Sequence, residues 1–189
     1  MLALLLATGA GTCLQAQEKL TQFKVRDAIT VRTPIMNDSI NPKGEKYADK
    51  DLLKTPVVLD LADAPFQVLS TDTAGVLSFP KAEKDHSIYL LETSLRAERF
   101  MTGKLKVTSP ARWEIFINGE SKMSKENAED SISGASTREV NLRLEPEADY
   151  EITIKLLSGS KDKAAPTLKC ELIKDDKFKD ITCFVSPEQ

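Results

Sequence analysis

The side chains of this sequence offer little for acid–base or metal chemistry. His86 is the single histidine in 189 residues, whereas the common catalytic zinc sites use two or more imidazoles. As a general base, His86 would need a nucleophile and a group that orients its ring, and the sequence identifies neither. We therefore expect a solvated histidine at the edge of a strand, and we predict no catalytic residue in this chain.

Two groups of acidic residues are the best candidates for a cation site. Glu126, Glu129 and Asp130 form one group, and Asp49 and Asp51 form the other. Hard cations such as calcium need several oxygen ligands that converge. Because neither group has the regular Asp-x-Asp-x-Asp-Gly spacing of a calcium loop, we interpret both as solvated surface charge. The sequence predicts no metal and no other cofactor.

Aromatic residues decide whether a glycan could bind, since sugar sites use exposed aromatic faces beside amides or carboxylates. Trp113 is the single tryptophan and alternates with two isoleucines, so we expect it in the core. Tyr47 lies in the long polar stretch 37–51 and is the best candidate for an exposed ring. The remaining tyrosines lie in strand patterns and should be largely buried: Tyr89 and Tyr150.

The charge balance argues against a nucleic-acid partner. The sequence has 26 basic and 29 acidic side chains, with a net charge of −3. The basic residues of the central and C-terminal loops stand among acids, without the interleaved aromatic side chains of a single-strand groove: Lys122, Lys125, Lys161 and Lys163.

The elements that must position these residues are strands. Apolar and polar residues alternate with a period of two at 113–117, 140–144 and 150–156, and no window of a dozen residues sustains an amphipathic helix. Further strands are predicted at 28–32, 57–61, 66–70, 75–79, 86–93 and 105–108. This pattern predicts an all-β fold, an antiparallel β-sandwich. Helices should be single turns, at 48–53 or 124–130.

The Asn-Gly pair at 118–119 is the strongest hairpin signal. A two-residue loop would place charged side chains opposite two isoleucines. A three-residue loop with a left-handed glycine would instead place Met123 opposite Ile115 and Ser121 opposite Ile117. We predict the three-residue form.

Two cysteines lie near the C-terminus. Segments 167–173 and 179–184 are predicted to form a hairpin centred between Asp176 and Lys177, which would place Cys170 directly opposite Cys183. Two interpretations stay open: a cross-strand disulfide in an oxidising compartment, or two reduced thiols that act as small apolar side chains.

The N-terminus has the features of a targeting segment. The apolar run 2–14 is too short to span a bilayer and is typical of a signal peptide, although the usual preceding basic residues are missing. Cleavage after Ala16 would leave a chain that begins at Gln17. A lipoprotein acylated at Cys13 is the alternative, with a poor lipobox. We expect a periplasmic or secreted protein without a membrane span.

The predicted organisation follows from these elements. Residues 1–16 form the signal peptide, and 17–55 form an N-terminal extension with an early strand and a long polar loop. Residues 56–185 form the β-sandwich domain, and 186–189 begin a linker.

Several motifs carry a family resemblance. Gly-Lys-Leu-Lys-Val at 103–107, a strand that ends in Asn-Gly at 113–119, and Leu-Arg-Leu-Glu-Pro at 142–146 precede a long alternating strand. This succession is similar to the galactose-binding-like jelly rolls of secreted hydrolases. The chain from 57 to 184 also resembles the N-terminal β-sandwich region of exported prolyl oligopeptidase family serine peptidases of Bacteroides-type bacteria, where it precedes a β-propeller and an α/β-hydrolase domain.

The resemblance implies a non-catalytic accessory domain of an exported peptidase, packed on neighbouring domains of the same chain or on a protein partner. That family's nucleophile elbow is absent, since the nearest approach, 131–134, lacks the first glycine of Gly-x-Ser-x-Gly. The alternative function is a free-standing periplasmic or surface module that binds a glycan or a protein.

Overall fold

The structure is a computed structural model that describes residues 17–31, 44, 49–54, 65–83 and 86–187. The predicted signal peptide, Cys13, Tyr47 and the predicted strand at 57–61 lie outside these residues.

Within the described ranges the chain is built almost entirely of strands. The strands are β1 (Gln17–Lys19), β2 (Gln22–Val31), β3 (Phe66–Ser70), β4 (Val76–Ser78), β5 (His86–Ala97), β6 (Met101–Thr108), β7 (Arg112–Ile117), β8 (Glu120–Lys125), β9 (Thr137–Leu144), β10 (Asp149–Gly159), β11 (Thr167–Lys174) and β12 (Cys183–Ser186). One α-helix, α1 (Asp49–Lys54), precedes β3, and 3₁₀ turns span Gly134–Ser136 and Asp176–Phe178.

The described strands pair into two antiparallel sheets. The small sheet has the order β1-β11-β6-β9, with β4 also beside β11. The large sheet has the order β3-β2-β5-β10-β7-β8, with β12 also beside β5. From β5 to β12 the chain crosses between the sheets at every connection except the β7–β8 hairpin. The predicted all-β antiparallel sandwich is confirmed, with a crossing pattern typical of jelly rolls.

Alternation along the strands builds one core between the sheets. The large sheet contributes Trp113, Leu91 and Ile154, and the small sheet contributes Leu105 and Leu172, all at 0% exposure. Each such side chain stabilises the fold by roughly 1.5–3 kcal/mol through its burial. The prediction that Trp113 belongs to the core is therefore confirmed.

The two predicted strand tyrosines differ in burial. Tyr89 is buried, and its hydroxyl donates a hydrogen bond to the Pro80 carbonyl at 2.9 Å. Tyr150 is half-buried, and its hydroxyl accepts from the Glu145 amide.

The N-terminal strands belong to the same sandwich. β2 lies between β3 and β5 in the large sheet, and its Phe23 and Val25 join the common core. The segment predicted as an extension, 17–55, thus supplies β1, β2 and α1 to the sheets and their surface.

The helix α1 packs on the outer face of the large sheet. Its Leu52 and Leu53 form a second, small apolar cluster with Ile88 and Leu157. The helix predicted at 48–53 is thus confirmed. The turn predicted at 124–130 is not helical, because β8 continues through Lys125 and the residues that follow form an irregular loop. Among the described residues no helix is long and apolar enough to cross a membrane.

The hairpin at 118–119 closes through two residues rather than three. Both have positive φ, 51° and 75°, as a type I′ turn requires. Ile117 therefore faces Glu120, and the predicted three-residue loop is wrong. The ladder then shifts by one residue inside β8, so that Ile115 faces Met123 as predicted.

The hairpin predicted from the two cysteines is also wrong. Cys170 faces Val107 in the small sheet, whereas Cys183 lies on β12 in the large sheet. The Cys183 Sγ is 3.3 Å from the Met101 Sδ. Met101 and Val107 lie at opposite ends of β6, roughly 20 Å apart along the strand. Both thiols are free, so the register from which a disulfide was inferred does not form.

Candidate functional site

A concave surface lies on the outer face of the large sheet. There β12, β5 and β10 run side by side, and a pocket of about 570 Å³ opens over their ends. A smaller pocket of about 170 Å³ continues it along the strands, with Ser94 and Ser186 shared between the two. We call this combined surface the β5 groove. Its larger pocket falls within the usual size range of small-molecule sites.

Strand register sets the floor of the β5 groove. Arg96 of β5 faces Asp149 on one side and Phe184 on the other. One step along the strands, Ser94 faces Glu151 and Ser186 in the same way. Residues two apart on a strand share a face, so both cross-strand rows point away from the core.

Phe184 supplies an open apolar surface at this site. Its neighbours Cys183 and Val185 pack against the core, so alternation turns the ring outward, where it is 57% exposed. Phe66 on the same face is 51% exposed, but the Lys24 ammonium lies 4.1 Å from its ring centroid. Among the described residues no side chain stacks on Phe184.

Charged groups surround the ring. Arg96, Glu98, Glu147 and Asp149 line the larger pocket with exposed side chains. Within the described ranges none of these four side chains makes an ion pair or a hydrogen bond. Their donors and acceptors are therefore available to a ligand.

Glu147 reaches the pocket from an uncommon backbone conformation. Its φ is +57°, in the left-handed region that costs a non-glycine residue roughly 1 kcal/mol or more. The Glu147 amide donates to the Ala97 carbonyl at 3.2 Å, which fixes the β9–β10 connection against the end of β5. The Glu147 side chain is thereby held at the rim of the pocket.

Ser94 lies where the two pockets meet and is 8% exposed. No residue in the described part of the chain hydrogen-bonds to its side chain, and its oxygen is not among the fully buried atoms there that lack a partner. The Ser94 hydroxyl therefore reaches the surface of the groove. A ligand hydroxyl or amine in the groove could hydrogen-bond to it.

His86 belongs to a second cluster at the other end of the large sheet. Its Nε2 lies 3.0 Å from Asp49 Oδ1, and the other Asp49 oxygen lies 2.5 Å from an Arg112 nitrogen. Arg112 also donates to both carboxylate oxygens of Asp162, at 2.8 and 3.0 Å. We call these four residues the His86 cluster, and it ties α1 to β5, β7 and the β10–β11 loop.

The His86 cluster corrects one prediction and extends another. The His86 side chain is 20% exposed and paired, so the expected solvated histidine is wrong. The Asp49 side chain is 41% exposed, as surface charge should be, but it pairs with His86 and Arg112. Sequence spacing could not show this, because the partners come from α1, β5, β7 and a loop. Among the residues described, no serine, threonine or cysteine hydrogen-bonds to the His86 ring, so the cluster lacks a nucleophile.

The other acidic residues that the sequence offered as cation ligands do not lie together, and each has its own surroundings. Glu126 pairs with Lys54 at 2.6 Å, Asp130 pairs with Lys163, and Asp51 lies in the first turn of α1. In the described ranges no three metal-ligating side chains converge.

The buried Lys125 pairs with the half-buried Glu129, a contact that the sequence did not indicate. Lys125 is 3% exposed, and its ammonium donates to the carbonyls of Pro110, Ala111 and Asn127 and lies 3.5 Å from Glu129. Burial lowers the pKa of Lys125, against the opposing effect of Glu129. Lys125, which the sequence analysis placed among the acids of a loop, is therefore a buried residue held by protein acceptors.

The other predicted basic residues lie on the surface. Lys122 pairs with Glu120 at 2.5 Å, and Lys161 is exposed. Neither lies near an aromatic ring that could form a nucleic-acid groove with it.

The two cysteines are poorly suited to nucleophilic chemistry. Burial raises the pKa of Cys170 and of Cys183. The thiolate is the reactive form of cysteine, so both side chains stay protonated at neutral pH.

No protein-family model matches the chain, and no curated protein sequence matches it. Among solved structures, a β-glucosidase from Kluyveromyces marxianus in complex with glucose is 18% identical over 61% of this chain and 14% of its own, with a TM-score of 0.44. A PA14 sugar-binding domain from an RTX adhesin is 16% identical over 53% and 52%, with a TM-score of 0.36. A GH31 α-xylosidase from Xanthomonas citri is 8% identical over 90% and 17%, with a TM-score of 0.45. The chain thus spans about half or less of each of these structures.

Proposed function

We propose that this chain is a non-catalytic module that binds glycans in the β5 groove. The observation that carries the proposal is the open ring of Phe184, set in a pocket of about 570 Å³ beside charged side chains for which the described residues supply no partner. Sugars present an apolar C–H face and a rim of hydroxyl groups. A flat aromatic ring matches the first, and carboxylate and guanidinium groups match the second.

The exposure of the acidic residues favours binding over catalysis. Glycoside hydrolysis uses a pair of carboxyl groups, one of which is kept protonated by its surroundings. Glu98, Glu147 and Asp149 are all exposed to solvent. The apolar burial on which the acid of a glycosidase depends is not found around these three side chains, and their oxygens are open to accept hydrogen bonds from a ligand.

A matched pair of phenylalanine variants tests the proposal. A glycan array identifies ligands of the wild-type chain, and calorimetric titration then measures their affinity for Phe184→Ala and Phe66→Ala. We expect Phe184→Ala to weaken binding about tenfold or more, as loss of a central aromatic contact does. Phe66→Ala should bind much more like the wild type, because that ring does not line the groove and contacts it only through Lys24. Absence of any bound glycan, or equal affinity in both variants, would contradict the proposal.

The wider context stays a prediction from the sequence. Export to the periplasm or to the medium rests on the N-terminal apolar run, and attachment to a peptidase of the prolyl oligopeptidase family rests on the resemblance. Genomic DNA beyond the codon for Gln189 tests the attachment. A frame that continues into propeller repeats and a Gly-x-Ser-x-Gly segment would support it, and a stop codon there would refute it.

A further inference from the structure

We propose that the β5 groove selects glycans that carry free amino groups over neutral and acidic ones. This inference rests on the proposed glycan-binding function and adds the class of sugar. Its basis is the excess of carboxylates over cations along the groove, together with the Ser94 hydroxyl at its floor, which has no partner among the residues that the structure describes.

Negative groups outnumber positive ones in both pockets. The larger pocket sets Glu98, Glu147 and Asp149 against Arg96. The smaller pocket sets Glu92 and Glu151 against Lys24.

The two cationic side chains of the groove differ in the protein groups that they contact. The Lys24 ammonium stacks on Phe66, outside the larger pocket. Arg96 has no ion pair among the residues that the structure describes. Arg96 alone therefore faces the carboxylates of the larger pocket, and the net charge there is negative.

The carboxylates lie at spacings that suit an oligosaccharide. Asp149 and Phe184 flank Arg96 in one cross-strand row, so they are roughly 10 Å apart. Glu151 lies in the next row, roughly 7 Å further along the strands. A sugar stacked on Phe184 would place its substituents near Asp149, and the following sugar would reach Glu151.

Ser94 provides an observation independent of the acidic residues. It is 8% exposed, lies between the two pockets, and has no side-chain partner in the described part of the chain. A hydroxyl oxygen accepts hydrogen bonds from an ammonium and exchanges them with sugar hydroxyls. Amino sugars carry both groups on one ring.

Calorimetric titration with two trimers tests the selectivity. One is a β-1,4-linked trimer of glucosamine, and the other is its fully N-acetylated counterpart. Both are titrated at low salt and at about pH 6. Each exposed ion pair between a carboxylate and an amine raises the affinity by roughly 1.5- to fivefold. Several such pairs together should make the affinity for the amine trimer about tenfold higher than that for the acetylated trimer. The preference should shrink at high salt.

Variants that neutralise carboxylates test which residues produce the preference for the amine trimer. Asp149→Asn with Glu147→Gln should reduce the preference for the amine trimer by roughly fivefold, since two carboxylates are neutralised. Glu145→Gln is the matched control, because Glu145 pairs with Arg143 and does not line the groove. We expect the control to keep the full preference, and thermal unfolding checks that all variants fold.

The outcomes separate this inference from the proposed function. If the wild type bound both trimers with equal affinity, and Phe184→Ala bound neither, the amine selectivity would be overturned. The proposed glycan binding would stand. Absence of any glycan binding would overturn both. A trilysine peptide that binds more tightly than the amine trimer would also overturn the inference, in favour of a cationic peptide ligand.

Discussion

Among the residues that the structure describes, three lysine side chains are buried in this sandwich. Lys125, Lys155 and Lys174 are each 4% exposed or less. Their ammonium groups donate to backbone carbonyls: Lys155 to Leu53 and Lys174 to Ile181. A buried ammonium is costly unless it is hydrogen-bonded, so these side chains tie loops and α1 to the sheets at defined points.

Replacement of Lys125 by methionine should lower the free energy of unfolding by about 1–3 kcal/mol, because buried carbonyls lose their donor. Urea denaturation measures the change. Lys122→Met is the matched control, and it should stay within about 0.5 kcal/mol, since Lys122 forms an exposed ion pair. A Lys125→Met variant as stable as this control would contradict the structural role.

The stability contribution of Lys125 should also depend on pH. Burial lowers its pKa below the ordinary 10.5, so the unfolded chain binds the proton more tightly. Between the lowered and the ordinary pKa, unfolding takes up a proton, and the free energy of unfolding therefore rises with pH. The free energy of unfolding of the wild type should therefore rise relative to that of Lys125→Met as the pH is raised towards the ordinary pKa of 10.5. A difference that falls over this range would show that the sign is wrong.

At the scale of elements, the approach of β6 to β11 depends on one glycine. A Cβ added at Gly103 would lie 2.4 Å from the carbonyl oxygen of Ile173, which no backbone can accommodate without moving. Gly103→Ala should therefore destabilise the fold by about 1–3 kcal/mol. At Gly134 an added Cβ meets nothing within 4 Å, so Gly134→Ala should be nearly neutral. Thermal unfolding compares the two, and equal melting temperatures would contradict the close approach.

The strands themselves were largely predictable because alternation is a local signal. The prediction at 66–70 coincides with β3, and the pattern at 150–156 lies within β10. The pairing of the strands, in contrast, is not determined by a local pattern in the sequence. The polar turn after β11 is compatible with a hairpin, yet the 3₁₀ turn Asp176–Phe178 leads the chain to the other sheet.

The candidate site was less predictable than the strands. Phe184 has a local signal, since it lies between Cys183 and Val185, and a strand with one face on the core must turn it outward. The residues around it come from β5, β10 and the β9–β10 connection. Their convergence depends on strand order in the large sheet, which no spacing within the sequence shows.

At the scale of the whole molecule, the outer face of the large sheet has two distinct ends. The helix α1 and the His86 cluster cover one end near Ile88. The β5 groove opens at the other end near Arg96, eight residues along β5 and thus roughly 25 Å away. We infer that the covered end stabilises the fold and the open end binds the ligand.

Asp49→Asn tests this division of the face. It weakens the contacts of α1 with His86 and Arg112, so it should lower the melting temperature by roughly 2–4 °C. Glycan affinity should stay at the wild-type value, because the groove lies at the far end. Loss of affinity in a folded Asp49→Asn variant would show that the two ends act together.

Chemical-shift mapping by NMR with the tightest-binding glycan tests the central claim most directly. Amide signals should shift at 94–98, 147–151 and 184–186, while those of α1 and of the first residues of β5 stay in place. Shifts confined to the α1 end, or no shifts at saturating glycan, would contradict a binding site in the β5 groove.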